Sequence, residues 1–126
     1  ICPSNPYVSI DPILALPGIR QALKECPAKI IAISPIVGGH AVKGPAAKMM
    51  IELKVPVTAT AIASHYGELL DGLVIDNMDA DQAKAIREDG LPVMVTDTMM
   101  VNLEIKQTLA EQTLRFAEEL SNLVCA

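Results

Sequence analysis

The residue types best suited to bind an anion lie in residues 30–48, with the sequence IIAISPIVGGHAVKGPAAK. Gly38 and Gly39 permit the positive φ angles that residues with a Cβ resist. Lys43 follows as a cation, and Pro45 is suited to the first turn of a helix. Free amides, a lysine and the positive end of a helix together attract phosphate. We therefore predict an anion site here, although an ordinary strand-to-helix loop is the commoner explanation of a glycine pair.

A second candidate segment is the turn around Ser4 and Asn5, which Pro3 and Pro6 bracket and stiffen. Such a turn presents a hydroxyl and an amide to a ligand in a fixed pose. Serine and asparagine also bond to nearby backbone groups in simple turns, so turn chemistry explains this segment equally well.

Other polar residues give weaker signals for metal or acid–base chemistry. His65 has no second histidine or cysteine nearby, which favours a structural or surface role. Asp76, Asp79 and Asp81 place three carboxylates within six residues, but their spacing does not fit an EF-hand loop. Asp79 with Gln82 three residues later resembles a capping box. We therefore predict helix capping for Asp79 and Asp81, leave Asp76 open, and assign neither a metal ligand nor a catalytic residue.

The elements that must position these residues alternate between strand and helix. Short β-branched or apolar runs predict buried strands at 29–33, 73–75 and 92–95. Helical segments are predicted from Asp11 as N-cap and Pro12 as the first helical residue, and over 45–53, 59–70, 80–89 and from 102 onward. The last of these has an apolar stripe at Leu103, Ala110, Leu114, Ala117, Leu120 and Val124. This order predicts one α/β domain over 1–126: a three-layer, Rossmann-like fold with a mostly parallel sheet and helices on both faces. Ligands of such sheets bind beyond the carboxyl ends of the strands.

Composition excludes several function classes. The 126-residue chain has 10 Lys plus Arg against 15 Asp plus Glu, a net charge of −5 and 2% aromatic residues, which argues against nucleic-acid binding. Its apolar stretches are broken by Pro and Gly before they reach the length of a membrane span. Cys2, Cys26 and Cys125 are far apart and lack a C-x-x-C motif, which predicts reduced, inert thiols and a cytoplasmic location.

Four segments together resemble a known enzyme family. They are CPSNPYVSIDPILALPGIR (2–20), SPIVGGHAVKGPAAKMM (34–50), HYGELLDGLVIDN (65–77) and VTDTMM (95–100). They are similar to the 2-phospho-L-lactate transferases, which build the deazaflavin coenzyme F-420. The resemblance implies transfer of 2-phospho-L-lactate, or an enolpyruvyl equivalent, from a guanosine-diphosphate-activated donor to the deazaflavin FO, with release of GMP.

The resemblance also implies roles for residues of this chain. Ser4, Asn5 and Pro6 match a loop beside the substrate phosphates or the acceptor, and Ser34, Pro35, Gly38 and Gly39 match a second loop. Lys43 joins this substrate-binding set from the anion-site argument above. Family members are considerably longer, so we expect this chain to be the carboxyl-terminal portion of such an enzyme and incomplete alone. Magnesium is the implied cofactor, with its ligands mainly outside this chain, and we expect a homodimer.

Two other functions compete with transfer chemistry. A related branch of the same superfamily binds nucleotide-sugars and regulates cell-envelope metabolism, and the run from Tyr7 to Ile19 also satisfies its pattern. The S-N-P triplet and the S-P-I-V-G-G loop favour the transferase. A third reading is that this portion mainly supplies a subunit interface through its aliphatic terminal helix and its Met-rich helix.

Overall fold

The structure, a computed structural model, describes residues 1–124 and alternates strands with helices as predicted. The strands are β1 (Ile31–Ile33), β2 (Ile36–Val37), β3 (His40–Ala41), β4 (Gly72–Asp76) and β5 (Val93–Thr96). The helices are α1 (Asp11–Leu14), α2 (Ile19–Glu25), α3 (Ala46–Glu52), α4 (Ala59–Tyr66), α5 (Ala83–Glu88) and α6 (Leu103–Val124). A π-helical turn at Pro6–Ile10 precedes α1, and 3₁₀ turns at Gly67–Leu69 and Asn77–Gln82 flank β4.

The main sheet has three parallel strands in the order β1-β4-β5. Ile1 extends the sheet at its β1 edge. The Ile1 amino group donates to the carbonyl of Ile31, and Ile33 N–H donates to the carbonyl of Ile1. That pattern is the slanted ladder of parallel pairing. The strands β2 and β3 form a separate antiparallel hairpin. The predicted α/β, Rossmann-like sheet is confirmed.

Helices cover both faces of the sheet. On one face, Leu73 and Ile75 pack with buried residues of the helices, among them Met50, Ile62 and Ile86. On the other face, Ile31 and Val74 pack against α6, chiefly Leu109, Phe116 and Leu120. All five residues of β4 are buried, as expected for a central strand. Each fully buried aliphatic side chain contributes about 1.5–3 kcal/mol relative to an exposed one.

The terminal helix buries a different stripe from the one expected. Its sheet-facing side carries Leu109, Phe116, Ala117 and Leu120. Leu103 and Leu114 are 69% and 66% exposed, so the predicted stripe is correct only at Ala117 and Leu120. Apolar residues lie on two neighbouring sides of this helix, so the sequence allows two apolar stripes. Packing against Ile31 and Val74 selects the stripe that is buried. The side chain of Val124 and the thiol of Cys125 lie outside the described side chains.

Several helix boundaries also differ from expectation. Asp11 begins α1 but does not cap it, since Ile10 precedes the helix without a side-chain cap. The predicted helix over 59–70 ends at Tyr66 and continues as a 3₁₀ turn. The predicted helix over 80–89 divides into a 3₁₀ turn and the shorter α5. Within residues 1–124, no helix combines the length and apolar character needed to cross a bilayer.

Asp76 ends the central strand and joins the segments that follow β4 and β5. Its Oδ1 accepts from Met78 N–H, and its Oδ2 accepts from both the N–H and the hydroxyl of Thr98, at 2.8–3.0 Å. Burial raises the pKa of this carboxyl, but the hydrogen bonds from Met78 and Thr98 outweigh burial and hold the pKa below its ordinary value. The residue left open by the sequence is therefore a structural anchor.

Asp79 forms a second anchor, not the predicted capping box. Its buried carboxylate accepts from Gly38 N–H through Oδ2 at 3.0 Å and from Gln82 Nε2 through Oδ1 at 2.8 Å. Gln82 Oε1 in turn accepts from the N–H and hydroxyl of Thr60 at the start of α4. Asp79 thus connects the β2–β3 turn to the segment after the central strand. The 3₁₀ turn at Asn77–Gln82 is capped instead by Asp76.

Gly72 tests how tightly α6 packs on the sheet. A Cβ there would lie 2.7 Å from Phe116 Cε1 and 3.0 Å from Leu120 Cδ1. We expect Gly72→Ala to lower the free energy of unfolding by about 1–3 kcal/mol, as overpacking does. Urea denaturation of the parent chain and the variant measures this change in the free energy of unfolding. Gly18→Ala is the comparison, because Gly18 has φ of 83° and open space around it, so it reports backbone strain alone. Equal stability of Gly72→Ala and the parent chain would contradict this packing.

Asp76 predicts a pH dependence of stability. Because its pKa is lowered by folding, the stabilisation it supplies is present above the ordinary aspartate value of about 3.9 and is lost as pH falls through the lower, folded value. We expect Asp76→Asn to lower the free energy of unfolding by about 1–3 kcal/mol at pH 7, with a smaller difference at about pH 3. Urea midpoints at both pH values measure this. Exposed Asp81→Asn is the control, and a pH-independent difference for Asp76→Asn would refute the argument.

Candidate functional site

Several polar segments leave the sheet at the same edge. Because Ile1 pairs in parallel with β1, the turn at Ser4 and Asn5 leaves beyond the carboxyl end of that strand, as Ser34 does. Asn77 and Asp97 follow the neighbouring strands β4 and β5 in the same direction. Parallel α/β sheets bind ligands at this edge. The topology therefore brings the two predicted loops to one edge of the sheet.

The glycine pair forms a hairpin turn, which the sequence did not predict. Val37 pairs with His40, so Gly38 and Gly39 are the two residues of the loop between β2 and β3. Their φ angles of 56° and 78° are both positive, as a type I′ turn requires. Gly38 N–H is occupied by Asp79, whereas no backbone acceptor for Gly39 N–H is found within residues 1–124. Gly39 is exposed, so its amide is the one available to a ligand.

Ser34 and Pro35 are buried beneath this turn. The Ser34 hydroxyl donates to the carbonyl of Ile36 and accepts from the N–H of Ile36, at 3.0 and 3.1 Å. Ser34 N–H donates to Val74 on the central strand. These bonds make Ser34 the bend that turns the chain from β1 into the hairpin. Its side chain is thereby occupied within the fold.

The turn containing Ser4, Asn5 and Pro6 starts a helical segment. Asn5 Oδ1 accepts from the N–H of Tyr7 and of Val8, at 2.9 and 3.3 Å, and so caps the π-helical turn that begins at buried Pro6. The Asn5 Nδ2 group lies 3.4 Å from the sulfur of Met49 in α3. Sulfur is a weak acceptor, so this amide can still donate to a ligand. Ser4 is half-buried, and its hydroxyl has no partner among the described residues.

Lys43 lies in the exposed segment between β3 and α3. Its ammonium has no carboxylate within salt-bridge distance in residues 1–124, whereas Lys48 and Lys84 pair with glutamates one helical turn away. The following helix begins at Ala46 and not at Pro45, and Pro45 supplies no side-chain cap. The Lys43 ammonium, the Gly39 amide and the Ser4 hydroxyl are thus the groups of the two predicted loops that no described residue binds.

An aromatic cluster not predicted from the sequence joins the segment after Asn5 to α4. His65 Nε2 lies 3.0 Å from Asp11 Oδ1, and the His65 ring meets the rings of Tyr7 and Tyr66 edge to face, with centroids 4.9 and 5.3 Å apart. Burial, followed by the nearby Asp11 carboxylate, raises the pKa of Tyr66 to about 12 and raises that of Tyr7, so both phenols keep their protons. The contact between Asp11 and His65 joins residues 54 positions apart, so local spacing in the sequence gives no signal of it.

This cluster forms one wall of a groove of about 450 Å³, which we call the Tyr7–His65 groove. Its lining consists of Tyr7, Val55, Pro56, Thr58, Thr60, Ala61, Ser64 and His65. The chain has only two tyrosines, and the rings of both contact His65. This scarcity of aromatic residues is the only sequence signal that singles out Tyr7 and Tyr66.

The described carboxylates do not form a metal centre. Asp76 and Asp79 each accept hydrogen bonds on both oxygens, and Asp97 Oδ1 accepts from Met99 N–H. In residues 1–124, no three or more His, Cys, Asp or Glu side chains are grouped to hold an ion. The residues that the structure describes therefore do not form a magnesium site of their own.

Comparison with known proteins identifies the family. The family model described as "2-phospho-L-lactate transferase CofD" matches residues 1–116. A phosphoenolpyruvate transferase of Streptomyces coelicolor is 42% identical over 119 residues, which are 94% of this chain and 37% of that relative. A 2-phospho-L-lactate transferase of Methanocaldococcus jannaschii is 42% identical over 120 residues, 95% of this chain and 37% of that relative.

The similarity to a third protein covers nearly the whole chain. The 2-phospho-L-lactate transferase of Methanosarcina acetivorans is 40% identical over 125 residues, which are 99% of this chain and 39% of that relative. The chain thus spans little more than a third of the length of these relatives. With the family model matched over most of its length, the chain belongs to the 2-phospho-L-lactate transferase CofD family.

Proposed function

We propose that this chain is the carboxyl-terminal portion of a transferase of coenzyme F-420 biosynthesis. The enzyme moves 2-phospho-L-lactate, or an enolpyruvyl equivalent, from a guanosine-diphosphate-activated donor to the deazaflavin FO, and GMP leaves. The observation that carries this proposal is the family match over residues 1–116. Relatives named for phosphoenolpyruvate and for 2-phospho-L-lactate transfer are equally similar, at 42% identity, so the proposal includes both donors.

The arrangement at the carboxyl edge of the sheet supports this chemistry. Transfer of a phosphoryl-linked group depends mainly on positioning and on neutralising charge. Lys43 supplies a cation, and the Gly39 amide and Ser4 hydroxyl supply donors to phosphate oxygens. Asn5 and Ser34 hold the turns that carry these groups. We therefore assign direct phosphate contacts to Ser4, Gly39 and Lys43, and supporting roles to Asn5, Pro6, Ser34, Pro35 and Gly38.

Other parts of the proposal concern groups outside this chain. Magnesium, when bound, neutralises phosphate charge, and we expect its ligands mainly outside this chain. We also propose a cytoplasmic homodimer. Exposed Val101, Leu103 and Leu114, each at least 66% accessible, support a subunit contact near α6.

A chimera tests whether this chain can do the work of the matching portion of an active relative. The matching third of the Methanocaldococcus jannaschii protein is replaced by the 120 residues of this chain that align with it. We expect the chimera to retain FO-dependent GMP release within about tenfold of the parent, because the two segments are 42% identical and share a fold.

The chain alone is the first control, and we expect it to release no GMP. The second control titrates the chain with FO and with a UDP-sugar, following deazaflavin fluorescence and calorimetric heat. A folded but inactive chimera, together with binding of the UDP-sugar and not FO, would contradict the transferase proposal in favour of a nucleotide-sugar-binding regulator.

Lys43 tests the phosphate contacts. We expect Lys43→Ala to weaken GDP binding by about threefold to tenfold in low salt, because an exposed cation beside a diphosphate contributes modestly and is screened by ions. Isothermal titration at two salt concentrations measures this, and Lys43→Arg should restore most of the affinity. Lys84→Ala is the charge-matched control, since Lys84 lies on α5 and pairs with Glu88. Equal losses in the two alanine variants would exclude a specific role for Lys43.

A further inference from the structure

The edge of the sheet at β1 is paired, among residues 1–124, by Ile1 alone. The Ile1 amino nitrogen lies 2.6 Å from the carbonyl oxygen of Ile31, and the Ile1 carbonyl oxygen lies 3.0 Å from the nitrogen of Ile33. We propose that the remainder of this edge binds an apolar β-strand in parallel, and that this strand is the segment preceding Ile1 in the complete transferase. The identity of the occupant rests on the proposed function, in which this chain is the carboxyl-terminal portion of the enzyme.

One backbone donor on this edge has no partner. The carbonyl of Ile30 and the N–H of Ser34 bond on the β4 side, so the amides of Ile31 and Ile33 face the opposite edge. Ile33 N–H donates to Ile1, but no acceptor for Ile31 N–H is found within residues 1–124. Ile31 is 7% exposed, and a buried amide without an acceptor is costly. A neighbouring parallel strand supplies the acceptor that this amide lacks.

A cleft of about 360 Å³, which we call the β1-edge cleft, includes residues of this edge and of the helices on both faces of the sheet. Leu23 of α2 and Cys26, which follows α2, line it on one face. Leu114 and Ala117 of α6 line it on the other face. Successive side chains of a strand point to opposite faces. A strand in this cleft therefore places alternate side chains against α2 and against α6.

The lining of the cleft suits an apolar strand. Its one charged residue is Lys29, whose ammonium lies 3.1 Å from Asp71 Oδ1 and is thus already paired. Leu114 is 66% exposed in this chain, and a strand in the cleft covers it. Strands that have helices on both faces are apolar throughout. Leu114 is accordingly assigned to the cleft, whereas Val101 and Leu103 do not line it and remain available for the subunit contact.

The length of the relatives favours an occupant from the same polypeptide. The matched segment is 37% of the Methanocaldococcus jannaschii protein, so most of that relative lies outside it. In the proposed enzyme, residues just before Ile1 are tethered at the open edge and follow the parallel direction that Ile1 sets. A tethered segment has a high effective concentration compared with a separate molecule. A strand added in this way accepts the Ile31 N–H and contacts Leu114.

The first test adds the strand to this chain. The chain is extended before Ile1 by the roughly ten residues that precede the matching third of the Methanocaldococcus jannaschii protein, which is enough for one strand. The control carries a Gly-Ser extension of the same length. We expect Ile31 N–H to exchange with solvent at least about tenfold more slowly in the strand-extended chain, because it gains an acceptor. Ile33 N–H, already bonded to Ile1, is the internal reference, so the ratio of the two exchange rates is measured.

The second test changes the wall of the cleft. Leu114→Glu should leave the urea midpoint of the parent chain unchanged, because the side chain is exposed there. In the strand-extended chain it should abolish the protection of Ile31 N–H, since the strand would bury a carboxylate against apolar side chains. Leu103→Glu is the matched control: this leucine lies on the same helix, is 69% exposed and does not line the cleft. It should leave the protection of Ile31 N–H intact.

The outcomes separate this inference from the proposed function. The chimera carries the same preceding segment, so it gives the same exchange measurement if the extended chain aggregates. Equal Ile31 exchange in the two extended chains, or equal effects of the two glutamate variants, overturns the cleft proposal. Sedimentation at two concentrations tests a second copy: a dimer of the parent chain that Leu114→Glu dissociates and Leu103→Glu does not also overturns it.

None of these results contradicts the transferase, which stands if the chimera releases GMP. Conversely, a folded chimera that protects Ile31 N–H but releases no GMP supports the cleft proposal and counts against the transferase.

Discussion

The buried carboxylate of Asp79 is the interaction on which the geometry of the carboxyl edge depends. A buried carboxyl group needs donors that replace its hydration, and Asp79 has two, from Gly38 N–H and Gln82 Nε2. The first bond spans 41 positions and fixes the glycine turn to the segment after the central strand. The second passes through Gln82 to Thr60 at the start of α4. One side chain thus sets the relative positions of the hairpin, the sheet and α4.

This anchoring decides which groups remain for a ligand. A glycine pair offers two amides, but Asp79 occupies the one at Gly38 and leaves the one at Gly39. In the same way Ser34 uses its hydroxyl on Ile36, and Asn5 uses its carbonyl oxygen on the backbone of the next turn. The residues that most resemble a phosphate-binding motif are therefore partly structural. They leave a smaller set of free donors and one lysine for the phosphate contacts proposed above.

The sequence predicted the features that depend on local preference and missed those that depend on distant contacts. Buried runs of apolar residues identified β1, β4 and β5, because a strand covered on both faces has no polar side chain within it. The hairpin around Gly38 was missed, since strands of two residues carry almost no periodicity. Local spacing predicts helix caps at Asp11 and Asp79, yet their partners lie 54 and 41 positions away. The edge where the candidate site forms was predictable from topology, but the division between free and occupied donors was not.

The segment from Asn5 to Asp11 shows how the two candidate surfaces are linked. Its first residue caps the turn that starts at the carboxyl edge, and its last is bound by His65 on α4. This helical segment is therefore bound at both of its ends. Tyr7 lies between the two anchors, and its ring faces His65 while its N–H faces Asn5. The geometry of the groove and that of the turn are therefore set together, by the same short stretch of backbone.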